Sequence, residues 1–202
     1  MDALESIGTE RLTLRASHPC LAAATADYHQ RNAGPHARWT PPVDAATYSV
    51  QAQAQQLAQV AQAIADGLSV GWWLFAHDAP DRAIGQLQLS QVYRRAFQSA
   101  MLGYSIDHLH EGRGLMSEAL RAALADAFGS RVALHRVQAN VRPENLRSLA
   151  LLDRLGFVRE GLARDYLFID GAWRDHAMTA LINPAWPRER PPPPPHPLLP
   201  AK

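Results

Sequence analysis

The sequence has one cysteine, no long apolar run and almost no net charge, and each scarcity excludes a class of protein. Cys20 is the single cysteine among 202 residues, so an internal disulfide is excluded and a reducing compartment is expected. No apolar stretch approaches the roughly 20 residues that cross a bilayer. The N-terminus also lacks the basic-then-apolar pattern of a secretory signal. We therefore expect a cytoplasmic protein with no membrane partner.

The charged residues do not indicate a nucleic-acid partner or a metal. The formal net charge is +1, and the 20 Lys and Arg residues are scattered along the chain. A protein that binds nucleic acid directly would be expected to carry a basic stripe. Nine histidines are present, but none has the spacing of a metal site, and the His108-x-His110 pair alone is weak evidence. No direct nucleic-acid contact and no metal are predicted.

The composition that remains is that of one globular domain. Apolar residues make up 47% and charged residues 19% of the chain, whose length suits a single domain with a substantial core. We predict that this domain spans residues 1–186. Residues 187–202 include five consecutive prolines, which favour extended polyproline II and cannot join a core. This tail is predicted to be disordered.

The apolar pattern predicts a mixed α/β fold with about seven strands and about four helices. A break in the first helix is expected near Gly34-Pro35, and a turn is expected over residues 78–82, which contain Pro80. The last two strands meet at Asp170-Gly171, a hairpin signal. Trp72 and Trp73 are neighbours in a strand and point to opposite faces, so one of them is a candidate for exposure. The predicted strands cover residues 10–16, 69–77, 83–92, 100–107, 134–141, 159–169 and 173–182; the predicted helices cover residues 21–28, 47–66, 117–128 and 145–155.

A glycine-containing turn joins the fourth predicted strand to the third predicted helix. Gly112 and Gly114 remove side chains where backbone N–H groups converge at a helix N-terminus. Such an arrangement can bind an anion, so a phosphate-bearing ligand is the first hypothesis for this turn. A tight connection without a ligand is the alternative.

Residues 109–114, Leu-His-Glu-Gly-Arg-Gly, are similar to the pattern Gln/Arg-x-x-Gly-x-Gly/Ala, with Leu109 in place of Gln or Arg. Together with residues 145–157 and 160–181, this segment resembles the GNAT superfamily of N-acetyltransferases, which bind acetyl-CoA. Residues 145–157 resemble the second signature helix of that superfamily, and residues 160–181 are similar to the RimJ branch of its Rim group. The resemblance implies one domain with a mostly antiparallel sheet, splayed between the fourth and fifth predicted strands and flanked by about four helices.

The same resemblance implies how acetyl-CoA is held. Backbone N–H groups of the glycine turn would bind its pyrophosphate. The end of the fourth strand would pair with the pantetheine arm and direct an N–H group to the developing oxyanion. Asn145 would contact that arm, or cap its own helix, or both. The cofactor-binding residues implied are Tyr104, Ser105, Ile106, Glu111, Gly112, Arg113, Gly114, Leu115, Met116 and Asn145.

The resemblance also implies catalytic residues, one in the second signature helix and one in the segment that follows that helix. Many relatives carry a tyrosine as general acid where this chain has Leu152. Ser148 lies one helical turn earlier on the same face and is the candidate proton donor to the thiolate. Asp165 is the first candidate for the general base, and Glu160 and Asp175 are the next candidates. An ordinary polar helix residue and a surface carboxylate are the alternative interpretations of Ser148 and Asp165.

The predicted acceptor is an amine. Trp39, Tyr104 and Asn140 are the candidate substrate-binding residues. The resemblance to the Rim group implies the N-terminal α-amine of a protein, a ribosomal protein beginning with alanine, acetylated by a monomer or homodimer. Two alternatives stay open: an acetyltransferase for a small amine, and an acetyl-CoA-binding module without catalysis, for which Leu109 and Leu152 are the support.

Overall fold

An eight-stranded sheet forms the centre of the computed structural model, which describes residues 5–189. Its strands lie in the order β1-β2-β3-β4-β5-β6-β8-β7, and every neighbouring pair is antiparallel except β5 with β6. This confirms the predicted mixed α/β fold with a mostly antiparallel sheet. The strands are β1 (Ser6–Gly8), β2 (Leu12–Ala16), β3 (Val70–Ala76), β4 (Ala79–Tyr93), β5 (Ser99–Ile106), β6 (Arg136–Val141), β7 (Val158–Ile169) and β8 (Ala172–Ile182).

Helices cover both faces of the sheet. They are α1 (Ala22–His36), α2 (Val50–Ala65), α3 (Leu115–Phe128) and α4 (Leu146–Arg154). One apolar cluster packs the sheet against α3 and α4 and includes Trp72; a second packs it against α1 and α2 and includes Trp73. Both tryptophans are therefore buried, because neither face of β3 is open to solvent. None of the four helices is both long and apolar enough to cross a bilayer, within the residues described.

The first helix is longer than predicted. It continues through Gly34 and Pro35 and ends at His36. A proline in the last turn removes only one helical hydrogen bond. Arg31 Nη2 donates to the carbonyl of Ala83 in β4 at 2.9 Å, which ties this part of the helix to the sheet. A long-range contact thus offsets the local tendency of Gly-Pro to end the helix.

Other boundaries differ for local reasons. The three-residue strand β1 is additional to the predicted seven and is too short to give a periodic pattern. The predicted turn over residues 78–82 is instead a tight turn at His77-Asp78, because extra residues of β4 between Ala79 and Ala83 allow Ala79 to pair with Ala76. The predicted second helix is divided, since Ser49 caps α2 and a short 3-10 turn, Ala45–Tyr48, precedes it.

The predicted hairpin between the last two strands is present. Asp170 and Gly171 have φ of 52° and 71°, as a two-residue hairpin turn with both residues left-handed requires. Of the predicted proline-rich tail, residues 187–189 are described, and residues 190–202 lie outside the described part of the chain.

The strands β5 and β6 separate after a short parallel contact. Ser99, Ala100 and Met101 pair with Arg136–Gln138, and beyond Met101 the two strands have no further paired residues. This confirms the splay predicted between the fourth and fifth strands, which are β5 and β6 here. The opening it leaves is the cleft described below.

The packing of His29 generates a prediction about stability. The ring stacks on Tyr48 and meets Trp73 edge-on, and its burial, with a smaller contribution from the charge of His36, lowers the pKa of His29 from 6.5 to about 4. Between these values the unfolded chain binds a proton that the folded protein excludes, so stability falls as pH drops. We expect the midpoint temperature of thermal unfolding to fall further between pH 7 and pH 5 in the wild type than in His29→Gln. His77→Gln, in an exposed turn, is the control; equal losses in all three proteins would contradict the prediction.

Candidate active site

The gap between β5 and β6 opens into a cleft of about 1200 Å³. That volume exceeds the usual pocket for a drug-sized ligand, about 300–1000 Å³. The end of α1, the glycine turn, the first part of α4 and β8 complete its walls. The predicted site residues that line the cleft are Trp39, Tyr104, Ser105, Ile106, Glu111, Gly112, Gly114, Leu115, Met116, Asn140, Asn145 and Ser148.

The glycine turn has the backbone geometry of an anion site. Gly112 and Gly114 have φ of 75° and 78°, left-handed values that other residues rarely adopt. Gly114 is the N-cap of α3 and offers no side chain, so the first N–H groups of the helix have no side-chain cap. Leu115 and Met116 are buried beneath the turn, and Arg113 beside it is exposed. The turn can therefore present N–H groups and the positive end of the helix dipole to a phosphate.

A clamp from the start of the chain fixes this turn. Arg11 Nη1 donates to the carbonyl of Arg113 at 3.0 Å, and Arg11 Nε donates to Glu118 at 2.7 Å. The Glu118 carboxylate also accepts from the Thr9 hydroxyl at 2.6 Å and from the Arg11 N–H at 2.8 Å. Although burial acts in the opposite direction, these hydrogen bonds lower the pKa of Glu118. Sequence reasoning missed this clamp because its partners are more than 100 residues apart.

The backbone of β5 faces the gap at alternate residues. The N–H of Asp107 donates to the carbonyl of Ile84 in β4 at 2.8 Å. Because the backbone groups of successive residues in a strand alternate in direction, those of Ser105 face β4, whereas those of Tyr104 and Ile106 face the gap. The carbonyl of Ile106 accepts a hydrogen bond from His36 Nε2 at 2.9 Å. The N–H groups of Tyr104 and Ile106 are thus the ones placed to bind a ligand in the gap.

Tyr104 and Ser148 form a hydrogen-bonded pair on the α4 side of the cleft. The Tyr104 hydroxyl lies 2.5 Å from Ser148 Oγ. Burial, against a smaller opposing contribution from the hydrogen bond to Ser148, raises the pKa of Tyr104 to about 12, so the phenol keeps its proton at neutral pH. The side chain of Asn145 caps α4 by accepting from the N–H of Ser148 at 3.1 Å. Leu152 is fully buried in the core, so this helix position does not reach the cleft.

The opposite side of β5 presents neutral polar groups. Ser105 Oγ lies 2.8 Å from the hydroxyl of Tyr28 and accepts from Gln86 Nε2 at 3.3 Å. Burial raises the pKa of Tyr28, so this phenol is also protonated and can donate to Ser105. None of the three side chains, Tyr28, Ser105 and Gln86, carries a charge. Farther along the cleft, Asn140 Nδ2 donates to the hydroxyl of Tyr166 at 2.9 Å.

Trp39 stands at the mouth of the cleft between two guanidinium groups. The Arg38 guanidinium lies 4.2 Å from its ring centroid and that of Arg142 lies 5.4 Å away, both within range of cation–π attraction. Arg142 also donates to the carbonyl of Arg38. These contacts hold the indole in place after the end of α1.

The carboxylates proposed as bases lie outside the cleft. Asp165 is exposed on a bulge of β7 with φ of 47°, and its N–H donates to Asp175 Oδ1 at 2.9 Å. Neither of these two residues lines the cleft. Glu160 is engaged by Arg136, whose hydrogen bonds lower the pKa of Glu160 and make it a weaker base. The structure thus brings Ser148 into the site and leaves Asp165 outside it, because the bulge changes the register of β7.

Residues 11–158 match the acetyltransferase (GNAT) domain family, and the chain belongs to this family of acetyltransferases. It is 40% identical over 178 residues to the [ribosomal protein uS5]-alanine N-acetyltransferase of Escherichia coli (strain K12), which covers 88% of this chain and 91% of that protein. It is 36% identical over 137 residues to a probable N-acetyltransferase, YjcK, of Bacillus subtilis (strain 168), covering 68% and 75% of the two chains.

Solved structures agree with this assignment. The ribosomal-protein-S5-alanine acetyltransferase of Vibrio fischeri superposes with a TM-score of 0.86 and 31% identity, over 91% of this chain and 99% of that one. RimJ of Mycobacterium smegmatis, solved in complex with CoA-disulfide, superposes with a TM-score of 0.83 and 30% identity, over 91% of this chain and 90% of that one.

Replacement of Gly114 should weaken cofactor binding. A Cβ at this left-handed residue costs about 1–2 kcal/mol, and the backbone shift that relieves the strain would disturb the N–H groups of the turn. We expect Gly114→Ala to bind CoA more weakly by isothermal titration calorimetry. Gly8→Ala is the control, since its φ is not left-handed and no atom lies within 4 Å of the added Cβ. Equal affinity for CoA in the two variants would contradict a role for the turn.

Proposed function

We propose that this protein is an acetyl-CoA-dependent N-acetyltransferase that modifies the N-terminal α-amine of a ribosomal protein beginning with alanine. The observation that carries the proposal is the 40% identity to the uS5-alanine N-acetyltransferase over nearly the whole of both chains. The cleft supports it, because it brings together the glycine turn, strand N–H groups that face the gap and the polar side chains of Ser105 and Asn140. On this proposal, residues 1–186 form the catalytic domain and the protein acts in the cytoplasm.

Acetyl-CoA supplies an acyl thioester, and the residues of this chain hold it and stabilise its reaction. The N–H groups of the turn Glu111–Met116 would bind the pyrophosphate. The N–H of Tyr104 or Ile106 would donate to the thioester carbonyl oxygen, where negative charge develops as the amine attacks. Asn145, while capping α4, lines the same cleft and would contact the pantetheine arm.

The Tyr104–Ser148 pair would protonate the departing thiolate. Ser148 Oγ would donate to sulfur while it accepts a hydrogen bond from the protonated Tyr104 hydroxyl. This arrangement replaces the tyrosine that many relatives carry where Leu152 stands here. The demand on the pair is modest, because a thiol with a pKa of about 8.5 is already a fair leaving group.

Ser148→Ala should therefore lower kcat without abolishing it. We expect a loss of about tenfold, less than the range of about 10²–10⁴ typical of general acid–base catalysis, because the thiolate leaves with little help. Tyr104→Phe should lower kcat in the same direction, since Ser148 loses its donor. Steady-state rates measured beside Ser130→Ala, an exposed serine after α3, test this. Full activity in Ser148→Ala would remove Ser148 from the mechanism.

The acceptor is tested by thiol release from acetyl-CoA over a panel of short peptides. The peptides vary in their first residue, and each has a control with a blocked N-terminus. Release with free Ala-starting peptides, absent when they are blocked, supports the proposal. Release with lysine side chains or small amines alone would replace it with a small-amine or side-chain acetyltransferase. CoA binding without release from any acceptor would indicate a binding module.

A further inference from the structure

We propose that His176 is the general base that removes the proton from the acceptor amine. This inference rests on the proposed function, since it assigns a residue to the acceptor side of the same site. It comes from the position, the hydrogen bonding and the surroundings of a histidine that the sequence interpretation did not select.

His176 lies on the acceptor side of the sheet. It is in β8 and lines the cleft, although only 3% of its surface is exposed. Asn140 of β6 is opposite Met178 of β8, and residues two apart in a strand share a face. His176 and Asn140 therefore point to the same side. Val141, in contrast, belongs to the apolar cluster under α3 and α4.

The hydrogen bond made by the ring determines which nitrogen is basic. Nδ1 of His176 lies 3.0 Å from the carbonyl oxygen of Arg174. A carbonyl oxygen only accepts hydrogen bonds, so Nδ1 carries the proton in the neutral ring and Nε2 carries the lone pair. Within residues 5–189, Nε2 has no hydrogen-bond partner, and it is not among the side-chain atoms sealed from solvent. The lone pair is therefore available to a ligand in the cleft.

Neighbouring groups complete a place for an amine. The ring centroids of Tyr166 and His176 lie 5.2 Å apart. The Tyr166 hydroxyl accepts a hydrogen bond from Asn140 Nδ2. Oδ1 of Asn140 is buried and has no partner among the described residues. A buried acceptor without a donor is costly, and an incoming amine would supply the donor. The geometry assigns one N–H of the amine to Asn140 Oδ1 and another to His176 Nε2.

The carboxylates that line the cleft, and His36, are already engaged. Glu111 forms a salt bridge with Arg147, and Glu144 Oε2 lies 3.4 Å from Arg142 Nε. His36 donates through Nε2 to the carbonyl of Ile106, and burial lowers its pKa. The remaining two histidines of the cleft, His108 and His110, belong to the short turn before Gly112 rather than to the acceptor side.

The proton balance of the step is simple. The amine arrives as R–NH₃⁺ and transfers one proton to His176 Nε2. The freed nitrogen lone pair forms the C–N bond with the acetyl carbon, and the C–S bond breaks as the thiolate is protonated by Ser148. The second proton that the attacking nitrogen loses passes through solvent and restores the Ser148 hydroxyl. The imidazolium then returns its proton to solvent, so the products are the amide, the thiol and one proton.

The test compares His176→Asn with the wild type as the pH is raised. An asparagine Nδ2 can keep the hydrogen bond to the Arg174 carbonyl, but it provides no base in place of Nε2. An α-amine has a pKa of about 7.7–8.0, so about a tenth of it is neutral at pH 7 and most of it at pH 9. We expect kcat/KM of the variant for the acceptor to fall about tenfold or more at pH 7 and to approach the wild-type value at pH 9. The charged and titratable groups beside His176 in the sheet are Arg174 and Asp175 of β8, Arg164 and Tyr166 of β7, and Arg142 after β6, and all are unchanged in the variant.

Further measurements separate catalysis from structure. The affinity for CoA and the midpoint of thermal unfolding should be the same in His176→Asn as in the wild type. His77→Asn, in the exposed β3–β4 turn, is the matched control and should keep full activity at every pH. A variant as active as the wild type at pH 7, or a deficit that is constant from pH 7 to pH 9, would overturn the assignment of His176.

The choice of acceptor keeps the two proposals distinguishable. The comparison uses whichever amine of the panel the wild type acetylates fastest. If that is a small amine and not an Ala-starting peptide, the proposed substrate fails, while a deficit that closes with rising pH still supports His176. Turnover of no amine by the wild type would overturn both.

Discussion

The early end of the β5–β6 pairing is the constraint on which the site depends. If the parallel pairing continued past Met101, the N–H groups of Tyr104 and Ile106 would form hydrogen bonds with β6 and the cleft would be closed. The strands can separate because each is held on its other side. All six residues of β6 pair with β8, and β5 stays paired with β4 as far as Ile106. Backbone N–H and C=O groups that are not hydrogen-bonded between the two strands are available to a ligand.

Helix α1 holds the far end of β5 in this position. Asp107, which follows β5, is fully buried and forms an ion pair with Arg31 of α1. The next residue, His108, donates its N–H to Asn32 Oδ1 at 3.0 Å. A buried ion pair and a buried amide must be satisfied by partners of fixed geometry, so they allow few alternative arrangements of this loop. The glycine turn that follows is held at its other end by Arg11 and Glu118.

One strand serves both halves of the site because its side chains alternate. Tyr104 points to α4 and meets Ser148, whereas Ser105 points to α1 and meets Tyr28. The thioester and the acceptor amine would therefore approach from opposite faces of the sheet and meet at the gap. On the proposed mechanism, the proton donor for sulfur would be on one face and the polar groups for the amine on the other. This division would keep the acid and the base of the reaction apart.

The part of the site that the sequence predicted consists of short segments. Gly112 and Gly114 act through backbone geometry that their own identities allow, and Asn145 caps a helix that begins at the next residue. The same local reasoning failed for Asp165. Its side chain lies on a bulge whose register is set by pairing with β8, and no local pattern reveals such a bulge.

The sequence by itself determined the order of strands and helices, the hairpin at Asp170-Gly171 and the glycine turn before α3. Each of these depends on interactions within a few residues, where periodicity and backbone preference decide. Only the tertiary structure decided that Tyr104 forms a hydrogen bond with Ser148, that Arg11 clamps the turn and that His176 and Asn140 both line the cleft. Those contacts join residues that are distant in the chain, and their geometry is fixed by the register and splay of the sheet rather than by any local pattern.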